Sequence, residues 1–238
     1  MPYFPRKLIK AVNDWQAGSV AKGRKARKLR EAIDAASLDQ YLRGCDDVCY
    51  RRTALVGSSV KELLFEFYIS EETSAWSTRR DFVATFRGGP PDPPVPGVIF
   101  KHQPKAGEVV LNMVRLYEHP EFMKSVEHWK AQGLDVSKGI ERYHGSQSEI
   151  IMEVDQVLHD EIFAFGSNSA MGIAKGEMEG VRPIGKIDLD PEHVRKSFAE
   201  AGLPVKKWVF GESVPRIYMN FIHKALKRLD AKFSGRVT

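Results

Sequence analysis

A chain of 238 residues with a net charge of +5 is long enough to bury a sizeable core without covalent staples, and its hydrophobic and charged fractions are those of an ordinary globular protein. Its two cysteines, Cys45 and Cys49, exclude a disulfide framework and a four-cysteine zinc site. No apolar run reaches membrane-spanning length and no secretory leader opens the chain, so the expectation is a reduced, cytoplasmic protein without a membrane partner.

Residues 6–36 have helical periodicity, with Leu8, Ile9, Val12, Trp15, Leu29 and Ile33 as the buried set and Gly18 and Gly23 as places where the helix divides. This stretch carries a basic run, Lys22, Arg24, Lys25, Arg27, Lys28 and Arg30. Such a run attracts polyanions or forms a solvated helix face. Asp47–Arg52 mixes Val48, Cys49 and Tyr50 and predicts a short strand. The apolar run Leu63–Ile69 fits a strand or a buried helical turn. Trp76-Ser77-Thr78 falls at an element boundary, and Asp81–Phe86 predicts a short helix with Phe82, Val83 and Phe86 facing inward. Residues 87–97, rich in proline and glycine, predict a loop. Val98–Lys101 and Glu108–Val114 predict strands, Pro120–Gln132 a helix stopped by Gly133, and Ser148–Val154 and Glu161–Phe165 two further strands. Residues 191–202, with Asp190 as N-cap, and Arg216–Phe233 predict terminal helices. A second basic cluster includes Lys206, Lys207, Lys224, Lys227, Arg228, Lys232 and Arg236. Strands in the middle with helices at both ends indicate an α+β class.

Four short signals occur in order: Tyr50-Arg51 on a predicted strand, Trp76-Ser77-Thr78, Arg87 in the Pro/Gly loop, and Gln147-Ser148-Glu149 opening an apolar strand. Each is common by itself. Together, over about residues 48–166, they resemble the arginine–serine–glutamate class of mono-ADP-ribosyltransferases, which includes many bacterial toxins. That class has an aromatic-Arg pair on its first core strand, a Ser-Thr-Ser-like motif on its second and a Gln/Glu-x-Glu motif on a later one. The second motif departs here, reading Ser-Thr-Arg, so Ser77 and Ser74 both remain as the working serine. The resemblance implies an ADP-ribosyltransferase-like fold, two packed antiparallel sheets around an NAD cleft with flanking helices. It implies NAD+ as substrate and no metal. The catalytic set would be Arg51, Ser77, Gln147 and Glu149, with Tyr50, Thr78 and Arg87 also binding NAD.

These residue types suit that chemistry. Cleavage of the nicotinamide–ribose bond builds positive charge on the ribose, which a carboxylate such as Glu149 stabilises. Arg51 offers phosphate a planar fork of donors, and Ser77 is expected to hydrogen-bond Glu149 and fix its rotamer. Gln147 and Glu149, two apart on a strand, are expected to face one side. The resemblance makes Gln147 the acceptor-reading position, with Tyr143 and His144 in the loop Glu141–Ser146 as acceptor contacts. Gln147 and the basic clusters favour a nucleic-acid acceptor, RNA before DNA, with a protein acceptor as the alternative. A silent nucleic-acid-binding protein is the rival from another class. The family's behaviour implies a toxin of a toxin–antitoxin or phage-defence system with an antitoxin or immunity protein. The expected division is a catalytic domain over residues 1–184 and a basic helical extension over residues 185–238. Glu177-Met178-Glu179 has the Glu-x-Glu form but lacks a following strand and is read as a turn.

Overall fold

Leu8, Ile9, Val12 and Trp15 recur at helical spacing and are all buried on helix α1 (Arg6–Gln16). In the computed structural model, which describes residues 2–18, 22–55, 59, 62–70, 72–91, 95, 97–144, 146–166 and 208–210, α1 is followed by helix α2 (Lys22–Ala36). The division falls at Gly18, whose φ of +66° is strained for any residue with a Cβ. Gly23 lies inside α2 and does not divide the helix. The chain separates into two interleaved compact units: Met1–Cys49, Glu71–Arg80 and Gln103–Asp155, and Tyr50–Ser70, Asp81–His102 and Gln156–Thr238.

In the first unit, β3 (Thr73–Ser77) and β5 (Val109–Asn112) flank β6 (Glu149–Glu153), both antiparallel to it. As the central strand of the three, β6 is buried over Glu149–Met152, which explains its unbroken apolar run. The unit also holds the helices α4 (Met113–Glu118) and α5 (Phe122–Ala131) and the single turn α6 (Ile140–Tyr143). Its core joins Leu8, Ile9 and Val12 of α1, Leu29 and Ile33 of α2, Phe122 and Val126 of α5 and Ile151 of β6. Full burial of Phe122 or Leu29 contributes about 1.5–3 kcal/mol each. The strand predicted over Glu108–Val114 stops at Asn112. The Asn112 side chain accepts from Arg115 N at 3.1 Å and so caps α4. Gly133, at φ +80°, follows α5 as expected.

Asn13 ties α1 to α6. Its Oδ1 accepts from Gly139 N and Ile140 N, each at 3.1 Å, and its Nδ2 donates to Asp135 O at 3.3 Å. Gly139 is pressed against this residue: a Cβ there would overlap the Asn13 carbonyl oxygen. Gly139→Ala should therefore cost about 1–3 kcal/mol by overpacking, read as a lower denaturant midpoint. An unchanged midpoint would show that the contact yields freely.

In the second unit, β1 (Cys49–Ala54) hydrogen-bonds to β4 (Gly97–His102), which pairs antiparallel with β8 (Ile162–Gly166), itself antiparallel to β9 (Trp208–Phe210). β2 (Tyr68–Ser70) and β7 (Gln156–Leu158) form a separate antiparallel pair. The ambiguous run Leu63–Ile69 contains both alternatives, a π-helical turn over Glu62–Glu66 and then β2. Helix α3 (Arg80–Thr85) buries Val83 against Ile99 and Ala164, and its Ala84 carbonyl accepts from Trp208 Nε1 at 2.7 Å. Phe86, expected inward, is exposed. The helix ends at Thr85, and Arg87 turns left-handed at φ 52°. The α+β class is as predicted. The predicted helices at 191–202 and 216–233, the C-terminal basic cluster and Glu177-Met178-Glu179 lie outside the described residues.

Candidate active site

Glu149 opens β6 and is buried, 7% exposed. Its Oε1 accepts from Trp15 Nε1 at 2.8 Å, and its Oε2 from Gln16 Nε2 at 3.4 Å. Tyr117 Oη donates to Gln16 Oε1 at 2.6 Å, which fixes the amide with its nitrogen toward the carboxylate. Burial pushes the Glu149 pKa up, and the bonds from Trp15 and Gln16 oppose that rise. The same environment holds the Tyr117 phenol well above its ordinary value, burial leading, with the Gln16 bond opposing and the Glu149 charge adding to the rise. Burial thus favours the protonated form of Glu149, and the two neutral donors partly restore the ionised one.

Ser77 and Glu149 are register partners across β3 and β6, as are Ala75 and Ile151, and Thr73 and Glu153. Cross-strand partners share a face, so Ser77 lies on the Glu149 face. Ser74 belongs to the alternate set, where it is fully buried and accepts from Trp76 Nε1 at 3.0 Å. Of the two serines, Ser77 alone lies on the Glu149 face. Ser77 does not fix the Glu149 rotamer in the way expected. Its hydroxyl donates to Gln147 O at 2.7 Å and accepts from Arg79 N at 3.1 Å. Thr78 N adds a bond to Ser148 O at 3.3 Å. The residues that hold the carboxylate are Trp15 and Gln16. Trp15 is legible in the sequence only as a core position, because nothing in its local pattern announces a partner 134 residues away.

Gln147 and Glu149 do line one cavity, but strand alternation is not the reason. Gln147 precedes the strand, and Ser148 between them has a left-handed φ of 44°. The main-chain carbonyls of Gln147 and Ser148, each bonded to the end of β3, hold the turn. The cavity, of about 370 Å³, is also lined by Gln16, Tyr117, Tyr143 and His144. Tyr143 and His144 come from the helical turn α6 and its C-cap instead of a loop. The His144 ring lies 4.8 Å from that of Tyr117. Glu153, on the Glu149 face, is paired with Arg30 of α2, which also donates to Thr73 Oγ1 at 2.6 Å.

The remaining predicted residues belong to the second unit. Tyr50 and Arg51 lie half-buried on β1, with Tyr50 edge-on to Phe163 at 5.3 Å. Exposed Arg87 lies 5.4 Å from the Phe86 ring. The neighbouring Arg52 donates to Gly89 O at 2.8 Å, and its pKa is lowered by burial and then by the Arg87 charge. Of the basic run at 22–30, Arg24, Arg27 and Lys28 are exposed on α2, whereas Lys25 bonds the Gly18 carbonyl. Among the described residues there is no cluster of His, Cys, Asp and Glu suited to a metal ion, and no helix long and apolar enough to cross a membrane.

No protein-family model, no curated protein and no solved structure matches this chain.

Proposed function

We propose that this chain is a mono-ADP-ribosyltransferase that cleaves NAD+ and passes ADP-ribose to nucleic acid, RNA before DNA, as the toxin of a toxin–antitoxin or phage-defence system. The observation that carries this reading is the buried Glu149 carboxylate lining one cavity with Gln147, Tyr143 and His144, opposite Ser77 in register. The cavity lies at the small end of ligand pockets, roughly 300–1,000 Å³, which suits one end of a dinucleotide.

Bound NAD supplies a glycosidic bond whose cleavage generates positive charge at the ribose. Glu149 must be ionised to meet that charge, and its burial weakens the screening that water gives at a surface. Gln147 presents an amide, an uncharged donor and acceptor pair suited to reading an acceptor. Tyr143 offers a ring on which a base can stack. The resemblance assigns Arg51 and Arg87 to the pyrophosphate. The exposed Arg24, Arg27 and Lys28 of α2 share one helix face and favour a polyanionic acceptor. They also support the rival reading of a silent nucleic-acid-binding protein, whose affinity would fall steeply with salt while Glu149→Gln left it unchanged.

The acceptor is tested with NAD labelled on its adenylate part, incubated with the protein and a whole-cell extract. Label lost to RNase is the expected result. Label lost only to DNase or only to protease would move the acceptor to DNA or to protein.

Trp15→Phe tests the electrostatics. The indole N–H opposes the rise in the Glu149 pKa, so its loss should move that pKa further up. If catalysis needs the carboxylate, the acid limb of the kcat/KM profile should shift to higher pH. A limb that stays in place or moves down would mean that Trp15 does not restrain the ionisation that catalysis uses.

A further inference from the structure

Two thiols meet away from the candidate site. Cys45 is half-buried in the turn after Gln40–Arg43, and fully buried Cys49 opens β1. Their Sγ atoms are 3.8 Å apart. A disulfide spans about 2.05 Å, so under about 2 Å of closure separates the pair from a bond. Both thiols also lie against one acceptor, the Asp47 carbonyl oxygen, at 3.5 Å from Cys45 and 3.7 Å from Cys49. The turn is braced from outside. Arg115 donates to Tyr41 O at 3.0 Å and to Asp46 Oδ2 at 2.8 Å, stacks on the Tyr41 ring at 4.6 Å, and lies beside Asn112, whose Nδ2 donates to Gly44 O at 2.8 Å. The main chain at Tyr41 and Gly44 and the Asp46 side chain are thus held, with one cysteine partly open to solvent and the other buried.

We propose that Cys45 and Cys49 form a redox-active dithiol that a hydroperoxide converts to an intramolecular disulfide, Cys45 attacking and Cys49 resolving. The asymmetry of the pair sets these roles. The Cys45 pKa is lowered to about 7, first by the hydrogen bond from Cys49 and also by the Arg115 charge, against burial and the Asp47 carboxylate. The Cys49 thiol is pushed up by its bond to Cys45 and by burial, so it stays protonated as the donor. The Cys45 thiolate attacks a peroxide oxygen, the O–O bond breaks, and the departing oxyanion takes up the proton Cys45 released. Cys45 is then a sulfenic acid. The Cys49 sulfur attacks the Cys45 sulfur, the S–O bond breaks, and the leaving hydroxide departs as water with the Cys49 proton. Two thiols lose two electrons and the peroxide gains them.

The test treats the folded full chain with hydrogen peroxide near neutral pH, followed by intact mass and peptide mapping. The expected product is a Cys45–Cys49 disulfide that dithiothreitol reverses. Cys49→Ala should stop at a Cys45 sulfenic acid that dimedone traps. Cys45→Ala should leave Cys49 reacting roughly tenfold or more slowly than Cys45 does, as the lower thiolate fraction requires. Cys49→Ser gives a second variant without the resolving thiol, with the same trapped sulfenic acid expected, should the alanine change disturb the buried position, and circular dichroism checks the fold of each. A stable sulfenic acid in the wild-type chain, or Cys49 reacting ahead of Cys45, would overturn the proposal. So would a disulfide formed only under denaturing conditions.

Discussion

Glu149→Gln is expected to slow nicotinamide release by roughly 10²–10³, the loss that follows removal of one preorganised electrostatic group, while leaving the thermal midpoint at neutral pH no lower than the wild type. The two effects share a cause. Glu149 is buried against neutral donors, so its ionised form costs stability that a neutral amide of the same shape does not. The amide oxygen of the substituted side chain still offers Trp15 an acceptor. The sign with pH follows from the raised pKa. The folded state holds the Glu149 proton more tightly than the unfolded chain does, so this contribution is complete below the unfolded pKa and is lost as pH rises through the folded one. The midpoint of Glu149→Gln should therefore match the wild type in acid and gain on it as pH rises. A variant with full activity would remove Glu149 from the mechanism. One that is inactive and also much less stable at every pH would make the carboxylate a structural group.

Asn13→Ala is expected to cost about 3 kcal/mol, at the upper end for a single substitution. Asn13 is buried, and its Oδ1 receives the amides of both Gly139 and Ile140. Alanine leaves those two donors without their partner and drops the bond to Asp135 O. Asn13→Asp retains the acceptor oxygen and should lose less. Equilibrium denaturation of the three chains gives the ranking wild type, Asp, Ala. If Ala and Asp are equal, the two amides are not what makes Asn13 important. Because α6 carries Tyr143, the alanine variant should also weaken acceptor use more than it weakens nicotinamide release.

How much of this is legible in the sequence depends on the range of the forces involved. Helix α1 can be read because Leu8, Ile9, Val12 and Trp15 repeat at the helical period, and β6 because Ile150, Ile151 and Met152 form an apolar run with a carboxylate at each end. The end of β5 cannot. Asn112 reads as one more residue of a strand until its side chain caps α4. The turn α6 is hidden because its anchor, Asn13, lies 126 residues away from Gly139. In the candidate site, strand alternation predicts the shared lining by Gln147 and Glu149. The observed cause is the left-handed Ser148 and two carbonyls bonded to the end of β3. Trp15 and Gln16 as the holders of Glu149 are not legible, since a donor 134 residues away leaves no local signature.

Glu149, on the proposed reading, belongs to an NAD-cleaving centre. The most direct test is the rate at which purified, folded protein releases nicotinamide from NAD+, measured beside Glu149→Gln under the same conditions. Steady release by the wild type and a loss of roughly 10²–10³ in the variant are the expected result. No release by the folded wild-type chain, with or without nucleic acid or cell extract, would contradict the claim and leave the binding-protein reading in its place.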